Sequence, residues 1–112
     1  MTNITYPRAT AEHRRKRHEL APDIDDAFAA LSRAVFAEGA LDKRTKQLIA
    51  LAVAHVTQCP WCIEGHVKGA KREGATNQQI MEAIWVAAEM RAGAAYAHSN
   101  KTLDLLDEID GT

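Results

Sequence analysis

Cys59 and Cys62 are the only cysteines in the chain, and they stand in one Cys-Pro-Trp-Cys unit with His66 four residues further on. Two thiols separated by two residues are close enough to close a disulfide. They are too few for a secreted disulfide framework. If a helix starts at Cys59, then Cys62 lies in its first turn. There the unpaired backbone N–H groups and the positive end of the helix dipole stabilise a thiolate. His66 falls one turn later on the same face. A neutral imidazole there can take the thiol proton, and a protonated one can stabilise the thiolate. An attacking thiolate, a base and a resolving thiol make up a reversible dithiol centre. The attack is assigned to Cys62, which has the better histidine geometry. Greater exposure of Cys59 would argue for the reverse order.

Other readings of the same residues compete. A cysteine pair can be buried as small apolar side chains. Cys59, Cys62 and His66 could also ligate a metal, with His55 or His98 as a fourth ligand. No second Cys-x-x-Cys and no His-x-x-x-His accompany them, so zinc-finger spacing is not met and no metal is assigned. His55, four residues before Cys59, is placed as a supporting group near the thiols. Glu64 points about 160° from His66 on a helical wheel at 100° per residue, toward surface or interface. Trp61, inside the cysteine loop, is suited to shielding the thiols or meeting a partner.

The elements that must position this centre are all helices. The chain has 112 residues, one small domain's worth, with 46% hydrophobic and 26% charged residues. No alternating strand pattern stands out. A polar helix is predicted over about Thr10 to Leu20. Pro22 opens a second helix with Ile24, Phe28, Leu31 and Val35 on one stripe, ended by Gly39 as a C-cap. Asp42 caps a third, running to about Val56, whose latter half is nearly free of polar side chains. It is expected to be central and buried on several sides. Cys59 and Pro60 begin a fourth, ending at Gly74. Thr76 and Gln79 form a capping box for a fifth, carrying Ile80, Met81, Ile84, Trp85 and Ala88. Gly93 is placed as an interruption, with a last helical stretch to about Ile109. The run Ala92 to Ala95 reads as helix packing, since no phosphate-binding glycine pattern accompanies it.

The net charge of −1 argues against nucleic-acid binding by bulk electrostatics. Charge is uneven, with a basic start (Arg8, Arg14, Arg15, Lys16, Arg17) and an acidic end (Asp104, Asp107, Glu108, Asp110). The basic run reads as a solvated helix face or one paired with acidic residues elsewhere. No membrane span and no secretory signal are visible, so a cytoplasmic protein is expected. Residues 1–21 are assigned to a basic helical arm and 22–112 to the helical domain.

Leu41 to His55, followed by Cys59-Pro-Trp-Cys62, His66, Gly74-Ala-Thr76 and Ile80 to Ile84, resembles the AhpD-like branch of the carboxymuconolactone decarboxylase family over roughly residues 22 to 100. The resemblance implies an all-α bundle of about five or six helices, assembled as a homotrimer or homohexamer. It implies thiol-dependent peroxidase or disulfide reductase chemistry without an organic cofactor. The substrate would be an alkyl hydroperoxide, with electrons from a thiol donor such as a lipoyl protein, or passed to a peroxiredoxin. By position Cys59 and Cys62 become the redox pair and His66 the proton relay. AhpD proteins carry a relay glutamate where this chain has Gln47. An amide cannot take and release a proton as a carboxylate does, but it can orient His66 or a water. His55 is a candidate to share the relay. Lactone decarboxylation, or a metal-binding or redox-sensing module without turnover, are the alternatives. Assembly is expected to bury Trp85 or a close neighbour, with the redox site near a subunit interface.

Overall fold

The computed structural model describes residues 6–111. The start of the assigned arm, residues 1–5, lies outside the described residues, as does residue 112. Five helices follow one another: α1 (Ala11–Leu20), α2 (Pro22–Phe36), α3 (Lys43–Thr57), α4 (Pro60–Arg72) and α5 (Asn77–Asp110). No strand occurs among the described residues, and the fold is all-α.

Local sequence explains most of the boundaries. The Asp42 carboxylate accepts from the Thr45 N–H at 2.7 Å and caps α3. Thr76 and Gln79 form the reciprocal capping box that opens α5. At the end of α4, Gly74 takes the left-handed conformation (φ +84°), and the Ala75 N–H closes onto the Ala70 carbonyl at 2.9 Å. Thr10 caps α1 with His13 as its reciprocal partner, an imidazole in the role glutamate or glutamine usually plays.

Two boundaries differ from the sequence expectation. Helix α2 stops at Phe36 rather than at Gly39, because Ala37 turns extended and the segment to Asp42 is a loop. Helix α5 runs straight through Gly93, where a glycine's local cost of about 1 kcal/mol is small against a 34-residue helix.

The core is small. Leu51, Ala70, Ala75 and Ile80 form it, with Leu48, Val67 and Ile84 packed around them. Helix α3 packs mainly on α4 and α5, while α2 touches α3 lightly and α1 leans on α2. The expectation that α3 is buried on several sides does not hold within one chain. Only Leu51 and Ala54 are buried on it, and Ile49, Val53 and Val56 are exposed. The reason is geometric: two helices cover one side of α3, and the loosely attached α2 leaves the rest open.

Candidate active site

Helix α3 hands the chain directly to the cysteine pair. Gln58 adopts the left-handed conformation (φ 58°, ψ 49°) and ends α3. The next residue, Cys59, donates its N–H to the Ala54 carbonyl at 3.1 Å and serves as the N-cap of α4. Its sulfur accepts the Cys62 N–H at 3.2 Å, so a thiol-derived acceptor fills the place of the usual serine or aspartate. Pro60 occupies the first helical position, where a missing N–H costs nothing.

Cys59 and Cys62 are joined in a disulfide, with their Cα atoms 5.3 Å apart. That separation falls within the range a disulfide spans without backbone movement. Cys62 is exposed and Cys59 half-buried. Cys62 is thus the more exposed of the two, and the capping role draws Cys59 inward against the end of α3.

His66 lies one turn beyond Cys62 on α4. Its Nδ1 is 2.8 Å from Gln47 Oε1 on α3. An amide oxygen only accepts, so Nδ1 carries the hydrogen and the neutral ring presents Nε2 as a bare acceptor. The Phe36 ring stacks on the imidazole, with centroids 5.3 Å apart and planes at 27°. Burial pushes the His66 pKa below its ordinary value, keeping the ring neutral at physiological pH.

The close approach of Gln47 depends on Gly69, which is buried three residues beyond His66. A Cβ at Gly69 would collide with the Gln47 amide. Phe36 and Gly69 were not legible as site residues. Phe36 reads as one more apolar residue at a helix end, and Gly69 as a neutral glycine within α4.

Cys62 and His66 open together onto a cavity of about 450 Å³ between α2, α3 and α4. Val35, Phe36, Leu41, Ile49 and Val53 make its wall apolar. Lys46, its one charged residue, donates from Nζ to the Ala37 carbonyl at 2.7 Å.

The remaining candidates lie apart from this group. His55 is half-buried on α3, and its Nδ1 contacts the Leu51 carbonyl of its own helix at 2.8 Å. It does not line the cavity that holds Cys62 and His66. His98 makes the same kind of contact with the Ala94 carbonyl on α5. Glu64 is exposed and pairs with Lys68 at 3.0 Å. Among the described residues no group of three or more His, Cys, Asp or Glu side chains is arranged to hold a metal ion.

Residues 22–104 match the model of the carboxymuconolactone decarboxylase family. The chain belongs to that family. A Paracoccus denitrificans protein called uncharacterized protein 4 in cox locus is 74% identical over 99% of both chains. The alkyl hydroperoxide reductase AhpD of Mycobacteroides abscessus is 31% identical over 87% of this chain, which spans 50% of that protein's length. Among solved structures, a carboxymuconolactone decarboxylase family protein from Legionella pneumophila superposes with a TM-score of 0.69 at 32% identity, covering 87% of each chain. The chain is thus an AhpD-like member of the family. No helix among the described residues is long and apolar enough to cross a membrane.

Proposed function

We propose that this protein is a thiol-dependent peroxidase and disulfide reductase of the AhpD kind, acting on organic hydroperoxides. One observation carries the reading. A cysteine disulfide at a helix N-terminus and a neutral histidine held by Gln47 open onto the same apolar cavity. Distant similarity to alkyl hydroperoxide reductases supports the same chemistry.

In the reduced protein His66 Nε2 takes the Cys62 proton, and the helix terminus stabilises the thiolate. The thiolate attacks the outer peroxide oxygen, the O–O bond breaks, and the substrate leaves as an alcohol once protonated. Cys62 is then a sulfenic acid. Cys59 attacks its sulfur, water leaves, and the Cys59–Cys62 disulfide forms. One peroxide is reduced by two electrons and two thiols are oxidised. A thiol donor returns the disulfide to the dithiol. The apolar wall suits the organic part of an alkyl hydroperoxide. The reading takes the cytoplasm as the place of action and a closed homo-oligomer as the working form.

Free-thiol titration of the reduced protein, before and after addition of cumene hydroperoxide, tests this. Loss of two thiols per chain and release of one alcohol are expected, with turnover abolished in Cys62→Ser. Thiols that survive the peroxide would refute the reading.

A further inference from the structure

The family match begins at residue 22, so the frame that holds the redox pair does not account for the segment before α2. Helix α1 buries no residue and is polar all round. It adds nothing to a core. The segment leading into it is nevertheless fastened to the cysteine loop. Trp61, between the two cysteines, donates its indole N–H to the Pro7 carbonyl at 2.7 Å. The Tyr6 ring lies 5.7 Å from the Trp61 ring, at 53° to it.

This strap creates a second cavity, of about 390 Å³, bounded by Pro7, Arg8, Ala9, His13, Arg17 and Trp61. No carboxylate lines it. Four acidic residues on or near α1 pair elsewhere: Glu12 and Glu19 with Arg15, Glu12 also with Lys16, and Asp25 and Asp26 with His18. Arg17 takes part in none of these pairs. Glu64, the carboxylate of the cysteine helix, is bound directly by Lys68 and is also attracted by the Arg8 charge. His13 spends Nδ1 on the Thr10 cap, leaving Nε2. The cavity therefore has a cationic wall and an aromatic wall, and the aromatic wall belongs to the redox loop itself.

We propose that this cavity is a docking subsite for the reductant of the Cys59–Cys62 disulfide, and that the reductant is a low-molecular-weight thiol bearing a carboxylate. Guanidinium groups match carboxylates geometrically, and an indole face covers a short methylene stem. The volume lies in the small-ligand range and admits no folded protein surface. The inference rests on the dithiol chemistry proposed above only in requiring that the disulfide be reduced. The docked thiolate attacks one sulfur, the S–S bond breaks, and the other cysteine leaves as a thiolate that takes a proton. A second thiol attacks the mixed disulfide. It releases the small-molecule disulfide and the second cysteine thiol, so two external thiols are oxidised for one protein disulfide reduced. Neither cysteine lines this cavity; its link to the disulfide is Trp61, the residue beside Cys62, so docking there raises the concentration of the thiol next to the redox loop.

The test follows reduction of the oxidised full-length protein by 3-mercaptopropionate and by 2-mercaptoethanol, which differ in the carboxylate. The ratio of the two rates is expected to fall about tenfold in Arg8→Gln/Arg17→Gln, as suits loss of a charge-assisted hydrogen bond. It should fall likewise in the unaltered protein at high salt, and Arg17→Lys should keep most of it. An unchanged ratio in the double variant overturns the proposal, as does an equal slowing by both thiols, which would reduce the arm to a support for Trp61. A charge preference seen only with an acidic protein dithiol would overturn it too. No peroxide is present in these assays. A protein that ignores hydroperoxides yet shows the rate ratio would refute the peroxidase reading and leave the subsite standing.

Discussion

His66 keeps Nε2 bare because Gln47 accepts from Nδ1 and burial disfavours the charged ring. A histidine pKa lowered on folding stabilises the fold fully above the ordinary value near 6.5. That stability is lost as pH falls through the lowered value. Unfolding midpoints measured down an acid series should therefore drop faster for the native protein than for His66→Ala. The same substitution should raise the pH at which Cys62 of the reduced protein reacts with iodoacetamide; an unmoved profile would remove His66 from the proton route. Gln47→Glu puts a carboxylate on the imidazole, which favours the charged ring. The His66 pKa, read from its imidazole resonances, should rise. At neutral pH that variant should hold the relay proton more and accept it less.

At the scale of elements, the site depends on how closely α3 and α4 approach. Gly69 is the point of contact, since any side chain there meets the Gln47 amide. The colliding atoms are the far end of a flexible side chain, so Gly69→Ala should fold, with Gln47 swung away from His66. We expect its thiol reactivity profile to match that of Gln47→Ala rather than that of the native protein. Thermal unfolding should show a modest net loss, because alanine's better helix propensity offsets part of the about 1 to 3 kcal/mol that crowding costs. A native profile in Gly69→Ala would mean that the Gln47–His66 contact does not govern the thiol. The capping bonds are a separate contribution: Thr76→Ala should cost about 1 kcal/mol and leave the thiol profile untouched.

The whole molecule is open for a single chain of its length. Its radius of gyration is 19.5 Å, against about 13 Å for a compact domain of this length. Helix α5 extends about 51 Å at 1.5 Å per residue, and the molecule measures 61 × 35 × 34 Å. Along α2, Ile24 is 74% and Phe28 67% exposed, and on α5 Trp85 is 68% exposed. Apolar faces of that extent are suited to contact with other chains, and a closed assembly is the expected outcome. Light scattering at micromolar concentration is expected to give three or six times the 12.3 kDa chain mass, as closed symmetry favours. Phe28→Asp or Trp85→Asp should shift the mass toward the monomer with loss of stability. A clean monomer in the native protein would sink this expectation.

The helical frame was legible from the residues because its signals are local. Asp42, Thr76 with Gln79, Pro60 and Gly74 act within one turn of themselves, so their spacing alone marks the ends of α3, α4 and α5. The grouping of the cysteine pair with His66 was legible for the same reason: Cys59, Cys62 and His66 lie within eight consecutive residues, and one helical turn brings them together. Gly93 misled because a glycine's local cost is decided by the packing of the whole helix, and the end of α2 because nothing at Ala37 announces a stop. Only tertiary structure could decide the rest. It set Gln47 on His66 across 19 residues, laid Phe36 over the imidazole, made Gly69 the clearance between two helices, and carried Pro7 across 54 residues to Trp61. Each of these contacts joins segments whose separation in sequence carries no periodicity, so no pattern along the chain could have revealed them.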